Sequence, residues 1–272
     1  MKKILLFCML FCFVGKPMFG MNYVRHFFGQ NLQENRVYKA NVATVYLVEP
    51  IELKSAMLSL LEAARNKDVQ GIILIIDSYG GLATQFSTIH DSIKKIAQMK
   101  PVISLIVGSA LSGGYMLASA SDYIIAHSIS ALGNIGVYQE IVKYKEPRVS
   151  GNIKALLDVE VLFAGEFKAL HNPYRTLSEA DKEYIKTIVN KEYQQFVSMV
   201  AQNRNLSKDT YKIWAEGKVF LPYEAVELGL IDEVGTIFEA EQKMLSLIRT
   251  RYSDFSFTDE VNFIPYNEPK TA

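Results

Sequence analysis

Cysteine is nearly absent from this sequence: the 272 residues contain two, Cys8 and Cys12, and both fall in one apolar run at the N-terminus. Without that run no thiol remains, which excludes a disulfide framework and a cysteine metal site in the rest of the chain. Histidine is scarce as well. His26, His90, His127 and His171 are scattered with no HxxxH-type pair, so no metal centre and no cofactor are expected. Charge imbalance is also missing, because Lys plus Arg and Asp plus Glu both number 29. Such a chain has no net field for nucleic acid, and none is expected as a partner. There is no internal repeat and no low-complexity tract. What is present is ordinary globular material, 49% hydrophobic and 21% charged, enough for one large domain or two small ones.

The N-terminus carries Met1-Lys2-Lys3 and then Ile4 to Gly15 (ILLFCMLFCFVG), the charged and apolar regions of an export signal. Twelve residues fall short of the ~20 that cross a bilayer as a helix. Met18-Phe19-Gly20 is a poor small-residue cleavage site, so residues 1–20 are read as a signal peptide or a retained signal anchor. Either way the chain is expected to be exported, with residues 41–250 outside the cytoplasm, and a retained anchor makes it membrane-associated. Residues 21–40 read as a linker or arm, and the polar tail 251–272, with its two prolines, as loosely held.

Between them the pattern is α/β. Asn41–Val48, Gly71–Ile76, Pro101–Val107 and Tyr123–Ala126 read as strands, the second a continuous apolar run of the kind buried on both faces of a parallel sheet. Amphipathic spacing predicts helices over Ile51–Lys67 and from about Thr84 to Met99. Ile141–Asn152 reads as a surface excursion and Ala155–Ala164 as containing a strand. Ser178 and Asp181 mark a helix start running to about Asn203; shorter helices are expected over Lys208–Glu216 and Pro222–Leu228, a strand over Leu230–Val234, and a last helix over Ile237–Arg249. Strand, turn and helix alternate, which gathers the strand-to-helix loops on one edge, where such folds place their sites.

The chain is organised around Gly108-Ser109-Ala110-Leu111-Ser112-Gly113-Gly114-Tyr115, which joins an apolar strand to a small-residue helix. Taken alone, Ser112 reads first as a helix cap. The second reading is a nucleophile, because glycines admit a substrate backbone and a helix start offers unpaired N–H groups to an oxyanion. Two further glycine turns, Ser78 to Gly81 and Gly133 to Gly136, end successive strand-like runs, and convergence of three such loops is harder to explain as capping.

With these blocks in view the chain resembles the signal peptide peptidase A family of serine proteases, which shares its fold with Clp protease and the crotonases. The matching blocks are Ile76–Gly81 (IDSYGG), Ala110–Tyr115 (ALSGGY), Gly133–Val137 (GNIGV), Ala164–Lys168 (AGEFK) and Gly217–Gly235, in order across roughly Val42 to Leu247. The resemblance implies a crotonase-like spiral of ββα units with additional C-terminal helices. It implies Ser112 as nucleophile, Lys168 as general base, and an oxyanion hole from the Gly113 amide and the Gly80-Gly81 turn. It also implies apolar, extended peptide substrates such as cleaved signal peptides, and a homo-oligomeric ring or dome in which neighbouring subunits contribute catalytic groups. The chemistry is self-consistent: a serine needs a neutral base, and burial disfavours an ammonium. Lys168 is therefore expected to be buried against Phe163 and Phe167. His171 is a rival base of lower standing under the same geometric test.

Two residues depart from the family pattern. Tyr79 stands where proline is usual and is expected to line or narrow the substrate groove; Asn134 stands where serine is frequent and is expected to help orient Lys168 by accepting its hydrogen bond. These departures keep a second reading alive, a catalytically silent scaffold or chaperone-like relative that binds apolar peptides. A third, an acyl-CoA hydratase of the crotonase type, lacks a carboxylate in the strand-to-helix turns apart from Asp77.

Overall fold

The computed structural model describes residues 37–143 and 160–267. The export segment, most of the arm, most of the expected surface excursion and residues 155–159 of the expected strand lie outside these. The first strand, β1 (Val37–Val48), begins four residues before its predicted start; α1 (Leu53–Arg65), β2 (Gly71–Ser78) and α2 (Ala83–Met99) follow. Then come β3 (Val102–Leu111), α3 (Gly113–Ser119), β4 (Tyr123–Ala126) and β5 (Ala131–Gly133). The C-terminal part contains α4 (Glu179–Arg204), α5 (Tyr211–Trp214), β6 (Val219–Phe220), α6 (Pro222–Glu227), β7 (Glu233–Val234), α7 (Ile237–Arg251) and β8 (Ser256–Tyr266).

These strands form one sheet in the order β6-β5-β3-β2-β1-β8, with β4 beside β3 and β7 beside β4, and every pairing is parallel except β5 with β6. This parallel-dominated sheet with helices on both faces is the Clp protease/crotonase-like α/β fold. Alternation along β2 explains why its run is apolar throughout. Ile72, Leu74 and Ile76 face the core under α1, α2, α3 and α4, whereas Ile73 faces the smaller core under α7, with Met244, Leu245 and Ile248.

Helix ends follow local chemistry. Ser178 and Asp181 form a reciprocal capping box at the start of α4, and Pro222 occupies the first turn of α6. In the last block Arg204 of α4 holds Asp232 through two bonds of 3.0 and 2.9 Å, and Asp232 in turn accepts the Ile124 N–H of β4 at 2.7 Å. The Tyr115 hydroxyl, fully buried, donates to the Leu230 carbonyl at 2.7 Å and fastens α3 to the same block; burial pushes that phenol far above its ordinary pKa.

Three expectations are corrected. Between Ser256 and Tyr266 the tail is not loose, because β8 pairs in parallel with β1 from Val37↔Ser256 to Val45↔Tyr266. Asn267 continues the ladder with its side chain, accepting from Tyr46 N–H at 3.1 Å and donating to Tyr46 C=O at 2.9 Å. The strand is polar because it lies at the sheet edge, where only Val261 is buried and where Pro265 and charged side chains are tolerated. Residues 160–164 are not a strand but lead irregularly into a turn, and Leu230–Val234 pairs only at Glu233 and Val234.

Candidate active site

The site begins with a change of register inside the sheet. Between β2 and β3 the pairing steps from Ile76↔Ile106 to Ser78↔Ala110, so β3 holds extra residues opposite Asp77. Asp77 Oδ1 accepts the Ser109 N–H at 2.7 Å, and a Cβ on Gly108 would fall 2.4 Å from that carboxylate. Past this bulge β3 leaves β4 and pairs with β5 up to Leu111↔Gly133, delivering Ser112 to the C-terminal edge of the sheet.

Ser112 has φ 51° and ψ −118°, a left-handed conformation that a side-chain-bearing residue rarely adopts. Its N–H donates to Gly133 C=O at 2.8 Å and its carbonyl accepts from Met116 N–H at 3.0 Å, so the backbone is fixed on both sides. Its side chain makes no capping bond to α3. The capping interpretation of Ser112 therefore fails, and a strained serine at a strand-to-helix turn is the geometry of a presented nucleophile.

The glycines around it are steric requirements. Gly80, at φ 95°, lies so close that a Cβ there would stand 2.7 Å from the Gly113 nitrogen and 2.9 Å from Ser112 Cβ. A Cβ on Gly114 would meet the Ser78 carbonyl at 2.5 Å. The expected oxyanion donors divide on inspection. Gly80 N–H is turned inward to Ser78 Oγ at 3.1 Å, and Ser78 Oγ donates to Glu49 Oε1 at 2.5 Å, so Gly80 keeps the site open without being a free donor. The Gly81 N–H has no hydrogen-bond partner among the described residues, and the Gly113 N–H, first in α3, has none within its helix. Ser78 and Glu49 were not legible as site residues, although Ser78 lies inside the IDSYGG block.

Asn134 adopts φ 50°, which asparagine tolerates better than most residues, and its Nδ2 donates to Gly217 C=O at 3.0 Å. It thus joins the glycine block of β5 to the segment entering β6, and no hydrogen bond links it to Lys168. Tyr79 is 70% exposed beside the Gly80-Gly81 turn, and with Leu82 and Ile129 (74% and 82%) it leaves an apolar rim on this edge.

Lys168 is exposed on a turn closed by its own N–H to Gly165 C=O at 3.0 Å, and no hydrogen bond joins it to Ser112. The expected burial against Phe163 and Phe167 is absent within one chain. Phe167 instead stacks on Tyr184 at 4.2 Å, and Phe163 lies beneath the Arg175 guanidinium at 5.2 Å. The turn is held in place all the same, since Lys143 Nζ donates to Leu170 C=O and Asn172 C=O at 2.9 and 2.7 Å. His171 is exposed beside Gln139 Nε2 at 3.4 Å, remote in bonding from the serine. Among the described residues no group of three or more His, Cys, Asp or Glu side chains is arranged to hold a metal.

The profile of Peptidase family S49 matches residues 81–250, and that of Clp protease matches residues 32–129. The chain belongs to peptidase family S49. A relative from Enterococcus faecium, named as a signal peptide peptidase, is 30% identical over 178 residues, 65% of this chain and 50% of its own. A relative from Methanocaldococcus jannaschii, named as a protease, is 34% identical over 193 residues, 70% of this chain and 60% of its own. Another from Synechocystis, also named as a protease, is 28% identical over 194 residues, 70% and 67% of the two chains. Protease 4 of Haemophilus influenzae is 29% identical over 211 residues, 74% of this chain and 33% of its own. This S49 chain therefore spans between a third and two thirds of the length of these relatives.

Proposed function

We propose that this chain is an exported, membrane-associated serine endopeptidase that hydrolyses short, apolar, extended peptides, cleaved signal peptides among them, through a Ser112–Lys168 dyad. The observation that carries the reading is the strained, uncapped Ser112 beside the unpartnered amides of Gly81 and Gly113. In the proposed reaction a neutral Lys168 takes the Ser112 hydroxyl proton as Oγ attacks the scissile carbonyl. The two amides hold the resulting oxyanion, each donor of this kind contributing about 3 kcal/mol or more. Lys168 then returns the proton to the leaving amine, and an ester to Ser112 remains. Water attacks that ester while Lys168 accepts its proton; Lys168 then passes the proton to Ser112 Oγ as the ester C–O bond breaks, so the second peptide leaves with a new carboxyl end and the serine hydroxyl and neutral lysine are restored. The exposed rim of Tyr79, Leu82 and Ile129 suits apolar substrate side chains, and the C-terminal edge suits an extended backbone.

In this reading the active unit is a homo-oligomer. Lys168 is exposed in one chain, and a neighbouring subunit over its turn supplies the desolvation that a neutral lysine requires. The Clp protease match and the name of a phage lambda relative, capsid assembly protease C, favour an assembling protein. The test is hydrolysis of a fluorogenic apolar peptide by the purified chain: Ser112→Ala and Lys168→Ala both abolish turnover, whereas turnover that survives either change contradicts the dyad.

Two observations favour a second reading, the silent peptide-binding scaffold: Lys168 has no bond to Ser112, and the Asn134 amide is turned to Gly217. That reading predicts peptide binding without turnover in the assembled protein. The hydratase alternative is weakened because the Asp77 carboxylate is engaged with the Ser109 amide.

A further inference from the structure

Phe86, in the first part of α2, is only 3% exposed, and its ring stands against two backbone positions at once. A Cβ on Gly113 would fall 2.5 Å from the ring Cγ, and a Cβ on Gly81 would fall 2.9 Å from Cε2. The two glycines come from separate loops, one leaving β2 and the other opening α3. They are also the two residues whose amides are left without partners at the site. Phe86 is tied to the first loop through its backbone too, donating its N–H to Leu82 C=O at 3.1 Å, one residue beyond Gly81.

We infer that Phe86 is a positioning residue that sets the separation and aim of the Gly81 and Gly113 amides in the oxyanion hole. This rests on the hydrolytic reading above. Donors act on an oxyanion only within about 2.7–3.1 Å, and a displacement of ~1 Å can cost up to about a hundredfold in rate. The glycines have no side chains through which to brace one another, and the ring fills the space between them. An aromatic ring has two torsions and a fixed outline, so it is a stiffer spacer than an aliphatic side chain. The simpler alternative, that Phe86 only fills the core, predicts loss of stability without a selective loss of chemistry.

The test uses the full assembled chain and a fluorophosphonate probe, whose phosphonyl oxygen becomes the oxyanion as Ser112 attacks and fluoride leaves. Inactivation kinetics separate the limiting rate from the half-saturating probe concentration. Phe86→Leu and Phe86→Met lower the limiting rate about ten- to a hundredfold and change half-saturation by no more than about twofold. Ile93→Ala serves as the control, a buried residue of the same helix away from these glycines; assayed equally far below its own unfolding midpoint, it keeps the wild-type rate. A wild-type rate in either folded Phe86 variant, an equal loss in Ile93→Ala, or failure of both Phe86 variants to fold overturns the inference. Wild-type labelling that Ser112→Ala removes, with folded Phe86 variants unaffected, defeats this inference alone. Absence of labelling in the wild type defeats the hydrolytic reading with it.

Discussion

Ser112 keeps a backbone conformation that glycine would hold at lower cost, and this sets function against stability at one residue. Ser112→Gly is expected to raise stability by about 1 kcal/mol, read as a higher midpoint in thermal unfolding, and to abolish fluorophosphonate labelling. An unchanged or lower midpoint would show that the turn is not strained in solution. At this scale much was legible. The SYGG, LSGGY and GNIG blocks located the strained Ser112, the proposed nucleophile, and the turns around it. The Lys168 surroundings and the Asn134 bond were not legible, because they depend on Tyr184, Arg175 and Gly217, which only the fold brings near. Glycine blocks likewise could not tell which amide is free: Gly80 and Gly81 are adjacent, and only the hydrogen bond to Ser78 separates their roles.

At the scale of elements, β2 and α4 were readable because periodicity and caps are local. β8 was not, because an edge strand needs so little buried surface that its pattern is polar. A chain ending at Tyr252 is therefore expected to expose the flank of β1 and to aggregate at concentrations where the full chain stays dispersed. Light scattering of the two chains checks this, and equal dispersity would mean that β8 adds nothing. A second element-scale device joins α2, α3 and α4. Buried His90 donates through Nδ1 to Asp91 Oδ1 at 2.9 Å and accepts at Nε2 from Asn203 Nδ2 at 2.8 Å, while Asn203 also donates to Ser119 Oγ at 3.2 Å. Burial, the largest influence, lowers the His90 pKa; the Asp91 bond and charge oppose this, and Lys94 adds to it. The folded state thus binds its proton less readily than the unfolded state, and the associated stability is present above about pH 6.5 and is lost as pH falls through the folded pKa. The thermal midpoint is expected to drop as pH falls below about 6.5, less steeply in His90→Gln. Identical slopes in the two proteins would remove His90 from the effect.

For the whole molecule, the proposed dyad requires a covering for Lys168. Among the described residues, one chain presents a strained serine, two amides without partners and an apolar rim, yet leaves its candidate base exposed. If a neighbour supplies both cover and contact, Ser112→Ala and Lys168→Ala chains, each inactive alone, regain labelling when mixed and reassembled, the label going to the Lys168→Ala chain. Failure of mixed assemblies to label would place the dyad within one chain or remove it. The central claim is the dyad itself, and the most direct measurement is fluorophosphonate labelling of the assembled protein across roughly pH 6 to 10, with both variants in parallel. The account predicts labelling that rises through one transition below the ordinary lysine range and is absent from Ser112→Ala and Lys168→Ala. An intact, assembled wild type that takes no label at any pH would contradict it and leave the peptide-binding scaffold in its place.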